Sequence, residues 1–487
     1  MPAERGVKGA LLTSEKARRS IRTKGSNVPW LTSIPTRWGI TAAKRLFAER
    51  KERALPDDEQ LSATQSHGVI RQSDYEYIVG RKVVRILQHL DKRRHVEKDD
   101  FVISMRSFQG GLERAWCRGA IRSSYVVLKP GADVYVPYFA HLFKSHDYIQ
   151  ALRATSNFIR DGQDLSFSNF CLVDLPVVPI AEQRAIAGFL DRVSAAVGTF
   201  IRNRRRLIAV LNEQKQAIVN HAVTRGLDPG AALKPSAVDW LGDVPEHWIA
   251  KPLKRWAAIN ALVLTETTDA DYEFSYIDIG AVGTGFLLEQ PETMRFGSAP
   301  SRARRIVRGG DTIISTVRTY LKAVLFIRDG LKDLIASTGF AVLSPREGVV
   351  PEALSFAVQG KAFVDRVMAC STGVAYPAIA ESRLGALHIG LPPTEREQHE
   401  IVRHVECATA HLDQTIRQTQ RGIDLVREYH TRLIAGVVTG KLDVRQLTPP
   451  GEGVESEEPI PFDGDDAFDE ELHMGDDAEL NEELADA

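Results

Sequence analysis

The sequence predicts an α+β fold in which two pseudo-symmetric globular domains are separated by a pair of long antiparallel coiled-coil helices. The first reason is a repeated opening: WLTSIPTRWGITAAKRL starts at Trp30 and WLGDVPEHWIAKPLKRW starts at Trp240. The second is a repeated closing segment, LPVVPIAEQ from Leu175 and LPPTEREQ from Leu391, each continuing as a helix-like stretch. The third is an apolar seam in both closing segments, with spacings of three and four residues, typical of a coiled-coil pair. A duplicated chain of 487 residues is too long for one core.

The two ends of the chain differ from its body in charge. Residues 1–27 are basic and predicted to be poorly ordered, and residues 444–487 are predicted to form an acidic disordered tail. Residues 451–487 contain 16 Asp and Glu and no Lys or Arg, so residues 1–450 carry 62 basic and 48 acidic side chains, a net charge of +14. A body this basic can bind polyanions, because contact with phosphates releases counterions. The tail is interpreted as a solubilising segment. The alternative is that it competes with DNA for the basic surface of the body.

Residues 28–174 and 229–390 are predicted to form the two mixed domains. The first contains the strand-like FVISMRSFQGG from Phe101, and the second contains DTIISTVRTYLKAVLFI from Asp311. The order of strand-like and turn-like segments is shared, while the loop side chains differ. Divergent loops on one scaffold are expected of two readers of different targets, and also of ordinary drift after duplication.

Residues 175–228 and 391–443 are predicted to form the two long helices. Glu182-Gln183 of the first aligns with Glu397-Gln398 of the second. We expect the helices to pack against each other; the alternative is that each packs along its own domain. The predicted seam residues are Leu190, Val193, Val197, Leu207, Leu211, Ile218, Val405, Leu412, Ile416, Ile423, Val426 and Leu433. The tryptophans predicted to anchor each domain onto the base of the helices are Trp30, Trp38, Trp240 and Trp248.

The sequence indicates neither a catalytic residue nor a metal site. It contains no phosphate-binding G-x-x-x-x-G-K-[ST] motif, and no [DNS]-P-P-[FYW] tetrapeptide of the kind found in amino-methyltransferases. His399 and His404 are five residues apart, whereas a helical zinc pair needs a spacing of four. The four cysteines are scattered, which indicates a reducing compartment. No apolar run approaches the ~20 residues of a membrane span and no signal peptide is evident, so we expect a cytoplasmic protein without membrane contact.

Taken together, the repeated W-L-x-x-[IV]-P-x-x-W opening, the Leu-Pro followed by Glu-Gln at each helix start, and the duplicated order resemble the specificity subunit of type I restriction-modification systems. The resemblance covers residues 28–443. Within the first domain, LSATQSHGVI from Leu61 also resembles stretches common in the target recognition domains of that family.

The resemblance implies a division of labour. Each mixed domain would be a target recognition domain that reads one half of a bipartite site in double-stranded DNA. The helix pair would fix the gap between the half-sites and dock two methyltransferase (M) subunits, and the restriction/translocase (R) subunits would join through the M subunits. This chain would hold no cofactor, because S-adenosylmethionine, ATP and Mg are expected only in the partner subunits, where an adenine is flipped out for methylation.

Candidate DNA-binding residues are those whose side chains serve base edges and phosphates and that lie beside flexible or strand-end sequence. In the first domain these are Ser62, Thr64, Gln65, His67, Arg71, Arg106, Ser107 and Gln109. In the second they are Arg302, Arg304, Arg305, Arg318, Thr319, Tyr320 and Lys322.

Two other interpretations stay open at this stage. The chain could serve a system that methylates DNA but lacks a nuclease, because the discriminating feature lies in neighbouring subunits. It could also be a non-enzymatic coiled-coil DNA-binding scaffold, although such a protein would not require two basic, turn-rich domains.

Overall fold

The computed structural model describes residues 22–79, 92–104, 107–155, 165–236, 238–328, 333–373, 376–445 and 447. The chain forms two compact units: unit 1 comprises residues 1–205 and 420–487, and unit 2 comprises residues 206–419. Strands and short helices are mixed in both, and two helices are far longer than the rest, which confirms the predicted α+β class with its long helices. Most residues of the two expected disordered ends lie outside the described residues. Within the predicted N-terminal segment, however, Thr23–Gly25 forms a strand, because its backbone pairs with Ser33–Pro35.

Unit 1 is built mainly from short strands. In chain order they are β1 (Thr23–Gly25), β2 (Ser33–Pro35), β3 (Gly39–Ala42), β4 (Phe47–Arg50), β5 (Leu61–Thr64), β6 (Gly68–Arg71), β7 (Arg94–Val96), β8 (Phe101–Ile103), β9 (Glu113–Arg114), β10 (Gly119–Ile121), β11 (Val126–Pro130) and β12 (Asp174–Val177). Its short helices are α1 (Gln72–Val79), α2 (Ser107–Gly110), α3 (Val136–Phe143), α4 (His146–Arg153) and α5 (Phe167–Cys171). The first long helix, α6 (Ile180–Arg225), follows.

Unit 2 repeats this series. Its strands are β13 (Leu233–Pro235), β14 (Asp243–Pro245), β15 (Ile249–Pro252), β16 (Ala257–Ile259), β17 (Glu273–Ile277), β18 (Glu292–Arg295), β19 (Ala303–Val307), β20 (Thr312–Ser315), β21 (Val324–Phe326), β22 (Leu334–Ser337), β23 (Phe340–Pro345) and β24 (His388–Leu391). Its short helices are α7 (Leu253–Trp256), α8 (Pro351–Gln359), α9 (Lys361–Cys370) and α10 (Glu381–Ala386), and the second long helix, α11 (Glu395–Val438), follows.

Strand pairing in the two units agrees except in one sheet. The antiparallel pairs β1–β2 and β3–β12 correspond to β13–β14 and β15–β24. The four-stranded antiparallel sheet β4-β11-β8-β9 corresponds to β16-β23-β20-β21. Unit 2 has a second sheet, β18-β17-β22-β19, in which β17 and β22 are parallel. The counterparts in unit 1 are two separate antiparallel pairs, the hairpin β5–β6 and the pair β7–β10, and a parallel bridge between Gln60 and Ala120 connects them.

The two long helices pack against each other within each unit. In unit 2, the Nζ of Lys215 donates to the Oδ1 of Asp413 at 2.7 Å, and Val219 and Val223 share an apolar cluster with Val405. Residue numbers therefore rise along α6 as they fall along α11, so the pairing in unit 2 is antiparallel. In unit 1, the Oγ of Ser194 is 2.9 Å from the Nε2 of His430.

The predicted seam residues divide into two groups. Seven are buried: Leu190, Val193, Val197, Val405, Leu412, Ile423 and Leu433. Five are half-buried: Leu207, Leu211, Ile218, Ile416 and Val426. Ile201 and Val219 are also buried and were not among the predicted residues.

Candidate nucleic-acid interface

The glutamine of the repeated Glu-Gln pair ties each long helix to its own mixed domain. In unit 1, the Oε1 of Gln183 accepts from the backbone N–H of Tyr135 at 2.8 Å. Its Nε2 donates to the carbonyl oxygens of Asp133 and Val178, at 2.9 and 2.8 Å. Because all three partners are backbone groups, the contact depends on the glutamine and not on the side chains around it.

Gln398 makes the same three contacts in unit 2. Its Oε1 accepts from the N–H of Val350 at 2.8 Å, and its Nε2 donates to the carbonyl oxygens of Gly348 and Pro392. Both glutamines are buried, at 1% and 0% exposure, so water does not reach their amides and these hydrogen bonds replace it. The start of each long helix is thereby fixed to the segment that precedes α3 or α8.

The glutamate of the same pair binds the repeated opening. Glu182 accepts from the Nε of Arg37 at 2.8 Å, and Glu397 accepts from the Nε1 of Trp248 at 2.9 Å and lies 2.9 Å from the Nε2 of His247. Glu182 and Glu397 each lie in the first turn of a long helix, where a carboxylate also interacts favourably with the helix dipole.

The tryptophans of the openings fall into two pairs. Trp38 and Trp248 are buried, and Trp248 packs against residues of both long helices within unit 2. Trp30 instead contacts Tyr148 edge-to-face at 5.7 Å, and Trp240 lies 6.2 Å from Phe363, so these two rings pack against the mixed domains. Trp248 therefore contacts the long helices, whereas Trp30 and Trp240 contact the mixed domains.

Two loops meet at one edge of unit 1. The β5–β6 connection contains Gln65, and the β8–β9 connection contains α2 and the exposed Gln109. A Cβ at Gly110 would lie 2.6 Å from the side chain of Gln65, so the two loops are in close contact there. The Nζ of Lys144 donates to the carbonyl oxygen of Gln65 at 3.1 Å. Several of the predicted residues are thus brought together, although Arg106 lies outside the described residues.

The corresponding loops meet in unit 2. The β17–β18 connection contains Thr284, and the β20–β21 connection contains Arg318, Tyr320 and Lys322. The Oγ1 of Thr284 donates to the carbonyl oxygen of Lys322 at 2.7 Å, and the N–H of Gly285 donates to the carbonyl oxygen of Val324. The candidates predicted after the strand-like runs of the two domains therefore occupy the same position in the repeated topology.

Four of the predicted residues face inward and hold these loops. Thr64 and His67 close the β5–β6 turn, where the Oγ1 of Thr64 accepts from the N–H of His67 at 3.0 Å. The Oγ of Ser107 accepts from the N–H of Ser104, and the Oγ1 of Thr319 donates to the Oγ of Ser371. All four side chains are buried, so they hold the loops together and are not exposed at the protein surface.

The other predicted arginines have local partners. Arg71 is exposed and pairs with Glu59 at 3.0 Å, whereas Ser62 is half-buried on β5. Arg302 pairs with Asp278 at 3.1 Å, and Arg305 has Glu381 at 3.9 Å. Arg304 lies over the ring of Phe296. The three arginines of unit 2 lie on or beside β19, and each already interacts with a neighbouring side chain.

A basic cavity in unit 1 was not predicted from the sequence. Lys51, Arg53, Lys92, Arg93 and Arg94 line an open cavity of about 390 Å³, together with Glu49, Glu52 and Ser123. Burial and the charge of the neighbouring Arg122 lower the pKa of Arg93. The run DKRRH that ends at His95 is the sequence signal that could have found this site.

Tyr376 is another functional candidate that the sequence did not indicate. Its ring is 62% exposed, and the guanidinium carbon of Arg318 lies 5.0 Å from its centroid. Lys322 pairs with Asp365 at 3.4 Å, and hydrogen bonds from Lys361 and then Lys322 lower the pKa of that carboxyl. Aromatic and basic side chains thus share the loop edge of unit 2, a combination typical of nucleic-acid surfaces.

Two further kinds of feature, metal-binding clusters and helices able to span a membrane, are absent from the described residues. Within the described ranges, no three side chains of the metal-binding types converge on one point. No helix in the described part of the chain is both long and apolar enough to cross a membrane.

Comparison with known proteins identifies relatives. No family model matches the chain. Over 327 residues it is 22% identical to the EcoKI specificity subunit of a type I restriction enzyme from Escherichia coli (strain K12), covering 65% of this chain and 68% of the relative. A chain in a solved structure on complex assembly and conformational transition of the type I R-M system aligns with a TM-score of 0.51 and 14% identity, over 84% of this chain and 99% of that chain. The HsdS subunit from Thermoanaerobacter tengcongensis aligns with a TM-score of 0.34 and 16% identity, over 83% and 96%.

The frame of short strands, short helices and two long helices is the fold that this chain shares with the chain in that type I R-M structure. The resemblance to type I restriction-modification specificity subunits that the sequence indicates is confirmed by these relatives.

Proposed function

We propose that this chain recognises a bipartite site in double-stranded DNA, with each unit reading one half-site through the edge where its two loops meet. The observation that supports the proposal is the repeated frame with unlike side chains at that edge. Gln65 and Gln109 occupy it in unit 1, whereas Arg318 and Tyr320 occupy it in unit 2. Two readers with different side chains at equivalent loops would select two different half-sites.

The basic cavity of unit 1 fits a role in backbone binding. Lysine and arginine contact phosphates without regard to sequence, and such contacts position a protein on the duplex. Lys51, Arg53 and Lys92 would supply this term in unit 1. We expect substitutions here to weaken DNA binding uniformly and to leave the recognised sequence unchanged.

We further propose that the helix pair sets the gap between the half-sites and docks two M subunits, with R subunits joining through them. The discrimination of the two readers then adds only at one spacing. S-adenosylmethionine, ATP and Mg would be held by those partners and not by this chain, and the complex would act on DNA in the cytoplasm. Inserting whole heptads near Leu207 should lengthen the tolerated gap; an unchanged gap would rule out this role.

The test of the proposed function is single-molecule sequencing of genomic DNA from cells that express the cognate M subunit with or without this chain. We expect N6-methyladenine at one bipartite motif only when both proteins are present. Absence of a motif in both samples would contradict the proposal. The same motif in both samples would show that recognition resides in the M subunit.

A further inference from the structure

At the loop edge of unit 2 the half-buried Arg318 stacks on the exposed ring of Tyr376. The guanidinium carbon of Arg318 lies 5.0 Å from the ring centroid of Tyr376, and the ring is 62% exposed. Among the described residues, no acidic side chain forms an ion pair with Arg318. The hydrogen-bonding edge of the guanidinium is therefore available to a ligand.

The backbone around Arg318 adopts a costly conformation. Arg318 and Lys322 both have positive φ, 51° and 53°, and they flank the 3-10 turn Thr319–Leu321. Left-handed residues other than glycine persist only where the surroundings fix them, and they occur preferentially at functional sites. The turn therefore presents Arg318 in one defined orientation.

The contacts that fix this turn also fix Tyr376. The Oγ1 of Thr319 donates to the Oγ of Ser371 at 2.8 Å, and the N–H of Ile379 donates to the carbonyl oxygen of Thr316 at 2.8 Å. Thr372 and Ala378 exchange two backbone hydrogen bonds of 2.9 Å, and Ala378 lies two residues from Tyr376. Both members of the pair are thus held before any ligand binds.

Burial explains the stacking of Arg304, another arginine of this unit, but not that of Arg318. Arg304 lies over Phe296, whose ring packs against a buried cluster that includes Phe274 and Ile335. Its stem covers apolar surface, as is common for arginine. Tyr376 is mostly exposed, so the stack with Arg318 orients a guanidinium and does not cover a core.

We propose that Arg318 reads a guanine in the half-site contacted by unit 2, with Tyr376 as the positioning residue. The guanidinium can donate two parallel hydrogen bonds to the O6 and N7 of guanine in the major groove, a pattern that no other base presents. Stacking on an aromatic ring holds the plane of the guanidinium and lowers the cost of ordering it on binding. The inference rests on the proposed function, because it names the base chemistry that one of the two readers selects.

The test uses the full chain with its cognate M subunit and sequences N6-methyladenine motifs genome-wide. We expect R318A to relax one G·C position of one half-site, by between about 5-fold and 100-fold in discrimination, and to leave the other half-site intact. R318K should relax the same position, because an ammonium lacks the planar fork. Y376A should relax it partially, whereas Y376F, which retains the ring, should not.

Arg328 offers a matched control in the same unit. It is an exposed arginine that pairs with Glu406 at 3.2 Å and lies over Phe326, and R328A should leave the motif unchanged. The retained half-site in R318A reports that the variant is folded and assembled.

Three outcomes would overturn the assignment while the wild-type motif stands. R318A could leave the motif unchanged, could reduce methylation equally at all sites, as for a phosphate contact, or could relax an A·T position. A wild-type chain that directs no bipartite motif would overturn the proposed function itself, and the guanine assignment with it.

Discussion

Unit 1 and unit 2 form the same turn around an equivalent aspartate but differ at the residue that precedes it. The turn before β8 has the N–H of Asp100 donating to the carbonyl oxygen of Glu97 at 3.1 Å, and the turn before β20 has Asp311 donating to Arg308, also at 3.1 Å. In both, the aspartate Oδ2 accepts from the backbone N–H three residues earlier. The left-handed position in this turn is Asp99 in unit 1 and Gly310 in unit 2.

The cores beneath the same sheet differ more. Phe47, Phe101, Phe139 and Phe143 of unit 1 form a cluster of rings with centroids 5.0–5.9 Å apart. The corresponding sheet of unit 2 packs mainly aliphatic residues, among them Leu343, Leu354 and Val358. Side chains bonded to the backbone, such as Gln183 and Gln398, therefore specify the frame, whereas the core can be filled in more than one way.

Exchange of a whole domain is the strongest way to test whether the two units read DNA independently. Replacing residues 28–174 with the matching region of a relative should replace one half-site of the motif completely and leave the other unchanged, because each reader would carry its own loop edge. Methylation sequencing of the chimera with the cognate M subunit checks this. A change in both half-sites would contradict independent reading, and the reciprocal exchange of residues 229–390 is the control.

Asp100 and Asp311 allow the same substitution to be compared at equivalent positions. Asp100 also forms a buried ion pair with Arg50, in which the side chains are 2% and 8% exposed. Asp100→Ala should lower the free energy of unfolding of unit 1 by about 3 kcal/mol or more, because it leaves a buried arginine with only the exposed Glu52. Asp311→Ala should cost unit 2 about 1 kcal/mol, the value of a turn-capping hydrogen bond.

Amide hydrogen exchange resolved by unit measures both effects, since the two units need not unfold together. Equal losses of protection would show that the Arg50 pair contributes nothing beyond the turn. Arg71→Ala, which removes an exposed ion pair in unit 1, should change protection little and serves as the surface control.

The sequence predicted the frame better than the site, for a physical reason. Backbone-directed glutamines, buried tryptophans and helical periodicity repeat with fixed spacing, so Gln183 and Gln398 could be aligned without a structure. Thr64 and Thr319 have the composition of DNA-contacting residues, but their hydroxyls are used inside the loops, which only tertiary contacts decide. Tyr376 gave no periodic signal, because its significance comes from a tertiary contact with Arg318.

Acid should weaken unit 1 selectively through His430. Burial, and then the charge of His141, lowers the pKa of His430 to about 4, whereas an unfolded histidine titrates near 6.5. Between these values the unfolded chain binds a proton that the folded chain does not, so stability falls as pH falls from about 6.5 to 4, by about 3 kcal/mol in total. His141 itself contacts Asp191 at 2.7 Å.

Hydrogen exchange in unit 1 as a function of pH, for the wild type and His430→Gln, checks this prediction. The variant keeps a polar side chain opposite Ser194 but does not titrate, so its unit 1 should lose less stability in acid. Identical pH profiles for the two proteins would contradict the assignment to His430.

The ion pair between the two long helices in unit 2 should have the smallest effect on stability. Lys215 and Asp413 pair at 2.7 Å, but their side chains are 25% and 32% exposed, so water and salt screen the attraction. Lys215→Met keeps the apolar stem and should change the stability of unit 2 by less than about 1 kcal/mol, with the difference shrinking further at high salt. A double-mutant cycle with Asp413→Asn isolates the pair. A coupling energy of about 3 kcal/mol, as large as the stability that His430 loses in acid, would contradict this prediction. It would mean that the partly exposed pair stabilises unit 2 as much as burial of neutral His430 stabilises unit 1.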